Sequence, residues 1–529
     1  MLMNKNNDIT YALNYHELTK HSKILNNYSL DWDNKPLTFK FYKDLISIPL
    51  PIDFPYPKKE TLVTLNRTIS EFEGTNKKIN KKLLAQLLFF SYGVNRKIKT
   101  DYGIYFTRTA SATGALYPTE LYLSCFGISG IKNGLYHFCP GTFTISPIRY
   151  GDYRYILYKQ IGNKDFISSK LVFIVTSIVY RNSWKYRDRS YRHLFWDSGV
   201  IISNLLAVCS ANSLPVKIFM GFIDTEINRL LCLTSHELVI CLIAVGKSFK
   251  KSVVVSNTKS IHHEIIESQL KYNEYPEIYK IHDASSLSSI DDIDNWIQSG
   301  RDFLNNNKNN IKNNTQKYPV KFDITLKTNL DDTILLRGST RRFANKSISY
   351  QKLCNILHVS LNQIPFDFIK GNNSLIDVYF IINKVDNLSS GGYYYNKTKK
   401  QIECIKNDVL YGDSGYLCLS QQLFNNASVV FFLMTNLNNV LSILGNRGYR
   451  CCQFEAGIIT GKIYLSSYAQ GLGASGSTFY DDHVSNFFAP HANHKNTMIA
   501  VGIGIPNYIS KKGKVLSGRL TRSDLLNSL

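Results

Sequence analysis

Apolar and polar positions follow the same succession of helix and strand patterns twice along the chain. Each succession predicts an amphipathic helix, an apolar strand, a short hairpin, a second apolar strand, a long apolar helix and a last strand. In the first half these elements are predicted at residues 81–92, 120–126, 134–138, 170–179, 198–212 and 238–246. In the second half they are predicted at residues 349–358, 377–383, 392–396, 427–435, 456–470 and 498–504. Two α+β domains of one architecture are therefore expected.

The amino acids repeat together with the pattern. The segment Asp188-Arg189-Ser190-Tyr191-Arg192 resembles Asn446-Arg447-Gly448-Tyr449-Arg450, and Arg189 and Arg447 lie 258 positions apart (447 − 189). We therefore expect one copy at residues 61–255 and a second at 321–529. An N-terminal extension at 1–60 and a polar linker at 256–320 complete the predicted organisation, because the linker contains an Asn- and Lys-rich stretch.

Composition narrows the class of protein. The 529 residues are 44% hydrophobic and 13% aromatic, which excludes a wholly disordered chain. The net charge of +22 comes from 62 basic and 40 acidic residues, but the lysines are dispersed and no nucleic-acid-reading motif occurs. The ten cysteines lack metal-site spacing. No apolar run reaches the roughly 20 residues of a membrane span, so we expect a cytoplasmic protein that binds neither membrane, metal nor nucleic acid.

Two segments suggest a ligand site. The segment Arg337-Gly338-Ser339-Thr340-Arg341-Arg342-Phe343 offers guanidinium, hydroxyl and backbone N–H groups before a helix, which suits an anion, although a solvated basic turn fits equally. Its counterpart, Asn66-Arg67-Thr68-Ile69-Ser70-Glu71-Phe72, has Asn66 and Ser70 at the outer basic positions and should bind phosphate poorly. The segment Ser111-Ala112-Thr113-Gly114-Ala115-Leu116-Tyr117-Pro118 has small residues that let a planar ligand approach the backbone, or form an ordinary tight loop.

Together these segments resemble those of FMN-dependent nitroreductase-fold proteins. The Arg-x-Ser-x-Arg-x-Phe segment is similar to the phosphate-binding signature of that fold. The small-residue loop is similar to the flavin-ring loop of the SagB/ThcOx-type dehydrogenases of thiazole/oxazole-modified peptide biosynthesis. The segments beginning at Tyr15, Gly134 and Lys185 resemble three further motifs of that branch, namely Tyr-His-Glu-x-Thr-Lys, Gly-Leu-Tyr and Lys-Tyr-Gly-Asp-Arg-Gly-Tyr-Arg. The likeness extends over nearly the whole chain except the linker.

The resemblance implies two tandem nitroreductase-fold domains that form a pseudo-dimer within one chain. It implies that Lys185 and Tyr186 are catalytic, and that copy two has lost this pair to Leu444-Gly445. FMN is implied as the cofactor, between a phosphate set in copy two, a ring loop in copy one and backbone after the long helix of copy two. The implied cofactor residues are Arg337, Ser339, Arg341, Ser111, Ala112, Thr113, Gly476 and Ser477. Because the losses in the two copies are complementary, one competent site per chain is expected.

The function that this likeness implies is the FMN-dependent oxidation of peptide thiazolines and oxazolines to thiazoles and oxazoles. The implied partners are a modified precursor peptide and a cyclodehydratase complex. Two other functions remain open. One is an NAD(P)H-dependent nitro- or quinone reductase of the same fold, since this fold needs no nicotinamide fingerprint. The other is a non-catalytic subunit that binds a peptide or scaffolds a modifying complex.

Overall fold

The computed structural model describes residues 5–22, 29–67, 77–101, 103–247, 259, 261–266, 273–306, 316–324 and 327–526. The expectations placed on Ser70 and on linker positions 307–315 lie outside the described residues. The strands are β1 (Ile48–Pro49), β2 (Val94–Thr100), β3 (Gly103–Arg108), β4 (Thr119–Cys125), β5 (Gly134–Cys139), β6 (Thr144–Tyr150), β7 (Leu171–Ile178), β8 (Val216–Phe219), β9 (Glu237–Val245), β10 (Lys317–Pro319), β11 (Asp377–Ile382), β12 (Gly391–Asn396), β13 (Gln401–Lys406), β14 (Val429–Thr435), β15 (Gly473–Ser477) and β16 (Asn496–Gly504).

The α-helices divide between the two halves of the chain in a similar order. They are α1 (Thr10–Leu18), α2 (Thr61–Asn66), α3 (Lys81–Tyr92), α4 (Arg154–Ile161), α5 (Asp165–Ser168), α6 (Val179–Tyr186), α7 (Ser190–Ala211), α8 (Asp224–Leu231), α9 (Pro276–Ala284), α10 (Ile290–Asn306), α11 (Leu330–Leu336), α12 (Tyr350–Ser360), α13 (Asp413–Leu417), α14 (Gln422–Asn425), α15 (Leu437–Leu444), α16 (Arg447–Ala469), α17 (Asp481–Phe487) and α18 (Arg522–Leu526).

Each half folds around one seven-stranded antiparallel sheet. The strand order is β1-β6-β5-β4-β7-β9-β8 in copy one and β10-β13-β12-β11-β14-β16-β15 in copy two, so corresponding strands occupy corresponding places. The central strands β7 and β14 consist mostly of apolar residues, because both faces of each strand are buried in the protein. The expected pair of tandem α+β domains is confirmed. Copy one has an additional hairpin, β2–β3, that forms its own two-stranded sheet.

The two copies meet where the long helices α7 and α16 cross. A Cβ on Gly199 would lie 2.6 Å from the backbone nitrogen of Ile458, and one on Gly457 would lie 2.7 Å from the carbonyl oxygen of Trp196. Gly199 and Gly457 are equivalent residues of the repeat, so the crossing lies on a local two-fold axis. Only glycine permits this approach of the two backbones. The continuous stretch Val179–Ala211 passes a length-and-hydropathy test for a membrane span, but 83% of its apolar window is buried inside the protein.

The expected polar linker contains two helices that pack into the protein. Ile278 and Ile281 of α9 and Ile293 and Trp296 of α10 are buried in the main core. Within the predicted linker, α9 and α10 thus contribute apolar side chains to the core.

The helices α1 and α9 are equivalent, which extends the duplication into the predicted N-terminal extension. Arg192 of α7 donates to the carbonyl oxygen of His16 and the hydroxyl of Thr19, at 2.7 and 2.8 Å. At the equivalent place Arg450 of α16 donates to the carbonyl oxygen of His282 and the hydroxyl of Ser285, at 2.5 and 2.7 Å. The Tyr-His-Glu-x-Thr-Lys segment thus anchors the long helix of copy one.

Reciprocal ion pairs join the two copies. Asp481, at the start of α17 in copy two, accepts from Arg189 and Arg192 of copy one at 2.9 and 2.8 Å. Asp224, at the start of α8 in copy one, accepts from Arg447 and Arg450 of copy two at 2.8 and 2.6 Å. All six side chains are buried. The repeated Arg-x-x-Arg motif that reveals the duplication is therefore a contact between the copies.

Candidate functional site

The phosphate-type segment of copy two begins at the end of α11 and faces copy one. Arg337 is only 4% exposed, and its Nη2 donates to the carbonyl oxygen of Arg108 at 2.8 Å. Its Nε has no hydrogen-bond partner within the described ranges, and burial lowers the pKa of the guanidinium. A buried, cationic N–H group without a partner fits an anionic ligand.

Ser339 and Gly476 meet around a tyrosine of the long helix of copy two. The Ser339 hydroxyl lies 3.5 Å from the Tyr464 hydroxyl, which accepts from the backbone N–H of Gly476 at 2.6 Å. The neighbouring Thr340 N–H donates to the carbonyl oxygen of Ala474 on β15 at 2.8 Å. The structure thus brings two predicted cofactor residues together. The Gly476 position is open, since a Cβ there would meet nothing closer than 3.6 Å.

Two other predicted cofactor residues lie at the edge of this group. Arg341 is exposed, and its backbone N–H donates to the Tyr508 hydroxyl at 3.4 Å. Ser477 accepts through its hydroxyl from the amide of Gln421 at 2.9 Å. Among the described residues, no hydrogen bond joins Arg341 or Ser477 to Arg337.

The ring loop of copy one is fixed from behind by an aspartate. The N–H and the hydroxyl of Thr113 both donate to one oxygen of Asp197 at 2.8 Å. Ser111 and Ala112 precede it, half-buried. Gly114, Ala115 and Tyr117 have φ of 63, 56 and 47°. A positive φ at two non-glycine residues is a strained backbone that the surroundings must hold.

Lys185 and Tyr186 end helix α6 next to this loop. A Cβ on Gly114 would lie 2.8 Å from the Tyr186 hydroxyl, so the tyrosine lies directly against the ring loop. The Lys185 ammonium lies 5.6 Å from the centre of the Tyr186 ring. Both side chains are half-buried, and a ligand lying on the ring loop would reach the tyrosine hydroxyl.

The structure corrects the expected counterpart of the Lys-Tyr pair. Helices α6 and α15 have the same length, so Lys185 corresponds to Ile443 and Tyr186 to Leu444, one position earlier than expected. The next residues, Arg187 and Gly445, share a positive φ of 50 and 60°. The equivalence also shifts in the phosphate segment, where α2 and α11 are followed by Arg67 and Arg337, so Arg67 rather than Asn66 takes the position of Arg337.

A second interface between the copies lies where copy two meets the edge strand β8 of copy one. Residues Pro365–Asp367 of copy two extend the sheet of copy one, because Ile218 of β8 donates to the Pro365 carbonyl at 2.8 Å and accepts from the Asp367 N–H at 2.9 Å. The cavity next to Arg67 has a volume of about 50 Å³, far below the ~300 Å³ at which small-molecule sites begin. A separate cavity of about 340 Å³ lies beside Pro365–Asp367 and β8. The counterpart of β8 in copy two is β15. Apart from the ladder with β16, the backbone of β15 is bonded by the Thr340 N–H alone among the described residues.

Several residues of the site were not found from the sequence. Tyr464 and Tyr468 of α16 contact Ser339 and Thr340 through their hydroxyls. Their repeat equivalents are Leu206 and Ser210, so a comparison of the copies for unequal polar positions would have singled them out. Arg96 of the additional hairpin donates to the carbonyl oxygens of Leu335, Leu336, Arg337 and Lys511, which holds the phosphate-type segment from the side of copy one.

Comparison with known proteins agrees with this architecture. No family model matches the chain. A putative nitroreductase of Methanocaldococcus jannaschii is 25% identical over 208 residues, which are 39% of this chain and 99% of that protein. The crystal structure of a putative nitroreductase from Anabaena variabilis superposes with a TM-score of 0.73 at 23% identity, over 94% of this chain and 99% of that one.

The chain therefore consists of two tandem domains of the nitroreductase fold. The superposition with the Anabaena protein extends over both copies, whereas the Methanocaldococcus protein has the length of about one copy. A chain of the E. coli microcin synthetase complex covers 34% of this chain at a TM-score of 0.28.

Proposed function

We propose that the protein is an FMN-dependent oxidoreductase with one cofactor site per chain, and that it oxidises peptide thiazolines and oxazolines to the aromatic azoles. The observation that carries this proposal is the division of one site between two copies. Copy two supplies Arg337, Ser339 and Gly476, while copy one supplies the ring loop and Tyr186. Arg337 donates to the Arg108 carbonyl of copy one, and the Arg108 N–H donates to the Tyr117 hydroxyl of the ring loop, which supports the assignment of both sets to one site.

The residues present fit FMN. Arg337 has a buried N–H without a described partner, Ser339 and the exposed Arg341 add a hydroxyl and a cation, and Gly476 leaves the edge of β15 accessible. Bound FMN would supply the acceptor for a hydride. Oxidation of an azoline also releases a proton, for which Lys185 is the proposed base at the substrate carbon. Tyr186 would orient the ring that lies on the loop and assist the proton transfer.

An NAD(P)H-dependent nitro- or quinone reductase is the second candidate, because the two similar proteins are named as nitroreductases. Mass spectrometry of a cyclodehydrated peptide separates the candidates, since azoline oxidation removes two hydrogens per ring. Rapid reduction of the bound flavin by NADPH, with no mass loss in the peptide, would favour the reductase instead.

We expect about one FMN per chain. Residues Pro365–Asp367 occupy the edge of β8, and copy two has Ile443 and Leu444 in place of Lys185 and Tyr186. The measurement is flavin released on denaturation, relative to protein. A ratio near two would contradict the assignment of a single site, and a colourless protein that cannot be reconstituted would favour a non-catalytic scaffold.

Arg341→Ala should weaken FMN binding by about ten- to a hundredfold. Loss of a charged partner of the phosphate costs about 1.5–3 kcal/mol. The control is Arg67→Ala, which removes an exposed arginine from the same segment of copy one, at the position equivalent to Arg337. Fluorescence titration with FMN measures both variants. Equal affinities in the two variants would refute the phosphate assignment to copy two.

A further inference from the structure

The cavity of about 340 Å³ beside the edge strand β8 lies between the two copies. Residues of β8, the end of β9 and α5 form its wall in copy one, and residues 363–371 form its wall in copy two. Arg301 of α10 completes the lining. The volume is within the range of about 300–1,000 Å³ that is usual for small-molecule sites. None of the lining residues belongs to the ring loop, the phosphate-type segment or β15, so this cavity is separate from the proposed cofactor site.

Three of the four cationic side chains that line the cavity have no carboxylate partner. Lys217 lies 3.0 Å from Asp165. Among the described residues, the charged groups of Lys247, Arg301 and Lys370 form no ion pair. The cavity therefore has an excess of positive charge, which favours an anionic ligand.

The second carboxyl group in the lining belongs to Asp367 and is turned toward the backbone of copy one. It is 1% exposed, and its oxygens accept from the backbone N–H groups of Met220 and Gly221 at 3.1 and 3.0 Å. Arg301 donates through Nη2 to the backbone carbonyl of Asp367 at 2.9 Å, whereas its Nε is buried and has no partner among the described residues. A buried N–H group of a cation without a partner fits an acidic ligand group.

Apolar side chains of both copies form much of the remaining wall. Val216 and Ala244 belong to copy one, Phe366 and Ile369 belong to copy two, and each of these residues is less than a tenth exposed. Such a wall contributes affinity for a ligand with an apolar body. An aromatic ring that carries a carboxylate combines the two properties that the cavity requires.

The lysines that copy one contributes have no cationic counterparts in copy two. With the offset of 258 positions, Lys217 corresponds to Ser475 and Lys247 to Ile505. The pairing of β8 with β9 and of β15 with β16 supports this equivalence, because Val216 pairs with Val245 as Ala474 pairs with Ile503. The positive charge at the cavity is therefore a feature of copy one and not of the repeated fold.

We propose that this cavity is a second ligand site, which binds an aromatic carboxylate between the two copies. The carboxylate accepts from Arg301, while Lys247 and Lys370 supply further positive charge, and the ring packs on Phe366 and Ile369. Because such a ligand contacts both copies, its binding stabilises the folded arrangement of the two. The site does not depend on the proposed oxidoreductase activity.

The test is isothermal titration calorimetry with benzoate and with benzamide, which has nearly the same shape but no charge. Benzoate should bind at one site per chain with a dissociation constant on the order of 1 mM, as befits so small a ligand, and benzamide should bind about tenfold more weakly. Arg301→Ala should weaken benzoate binding about tenfold. Lys370→Glu, at an exposed position, should weaken it by a similar factor. The control is Lys399→Ala, which removes an exposed lysine outside the cavity and should leave the affinity unchanged.

Absence of benzoate binding, or equal affinities for benzoate and benzamide, would overturn the proposal. Equal weakening by Lys399→Ala would also overturn it, since it would reveal a general attraction to a basic surface. If Arg301→Ala does not fold, Lys370→Glu decides, and an unchanged affinity in that variant would overturn the proposal. Benzoate should bind equally well to protein saturated with FMN; loss of binding there would place benzoate at the cofactor site instead. A protein that binds benzoate as expected but no FMN would refute the proposed function alone.

Discussion

Lys185→Ala should retain FMN and lose azoline oxidation. The residues proposed to hold the cofactor lie on the ring loop, β15 and the segment after α11, and none of them needs the ammonium at the end of α6. Removal of the proton from the substrate does need a base, and loss of a general base typically lowers the rate by about 10²–10⁴. The measurement is the loss of two hydrogens per ring by mass spectrometry, with bound flavin quantified in the same sample.

The matched control is Ile443→Ala, which changes the equivalent residue at the end of α15. It should leave oxidation close to the wild-type rate, because copy two presents no ring loop of this type. Full oxidation by Lys185→Ala would remove the Lys-Tyr pair from the mechanism. Simultaneous loss of flavin and oxidation would make Lys185 a cofactor-binding or structural residue.

Asp224→Ala should lower the free energy of unfolding by about 3–5 kcal/mol, since it leaves two buried guanidinium groups without their counter-charge. Arg447 and Arg450 belong to the other copy, so the loss concerns the contact between the copies. Denaturant unfolding measures the change. Asp165→Ala breaks a partly exposed pair with Lys217 and should cost less than about 1 kcal/mol. Similar losses of unfolding free energy in the two variants would contradict the prediction that the buried ion pairs contribute more to stability than an exposed pair.

The same cluster gives stability a defined dependence on pH. Burial alone would raise the pKa of Asp224, but Arg447 and Arg450 outweigh it and lower the pKa from 3.8 to about 2. As the pH falls, Asp224 is therefore protonated in the unfolded chain before it is protonated in the folded protein. The contribution, about 2 kcal/mol at 1.36 kcal/mol per pKa unit, is complete above about pH 5. It should be lost as the pH falls toward 2, and this loss should be absent in Asp224→Ala.

Much of the fold follows from the periodicity of the sequence. The predicted helix at 81–92 coincides with α3, and the predicted strands at 120–126 and 377–383 agree with β4 and β11 to within one residue. In these elements the apolar pattern extends over the whole helix or strand, so the local sequence and the tertiary contacts favour the same structure. The edge strand β15 was not predicted as a strand, because Gly-Ala-Ser-Gly-Ser has little β-propensity and is held by pairing with β16.

The site is less accessible to sequence analysis, because its parts come from distant segments. The ring loop, the phosphate-type segment and the Lys-Tyr pair were recognised from local motifs, and their assignment to one cofactor site remains a proposal. Tyr464 and Asp197 lie inside long, mostly buried helices, where a single polar residue does not stand out. Their hydrogen-bond partners are more than ten residues away, so only the folded structure shows what they hold.

The glycine crossing at Gly199 and Gly457 places a two-fold axis inside a single polypeptide. In an ordinary homodimer every substitution occurs on both sides of such an axis, and the subunits separate on dilution. Here the tether sets a local concentration that does not change with the amount of protein. One interface can therefore lose its ligand-binding residues and serve as packing, while the other keeps them. Covalent linkage thus allows the two sides of the pseudo-symmetric pair to differ from each other.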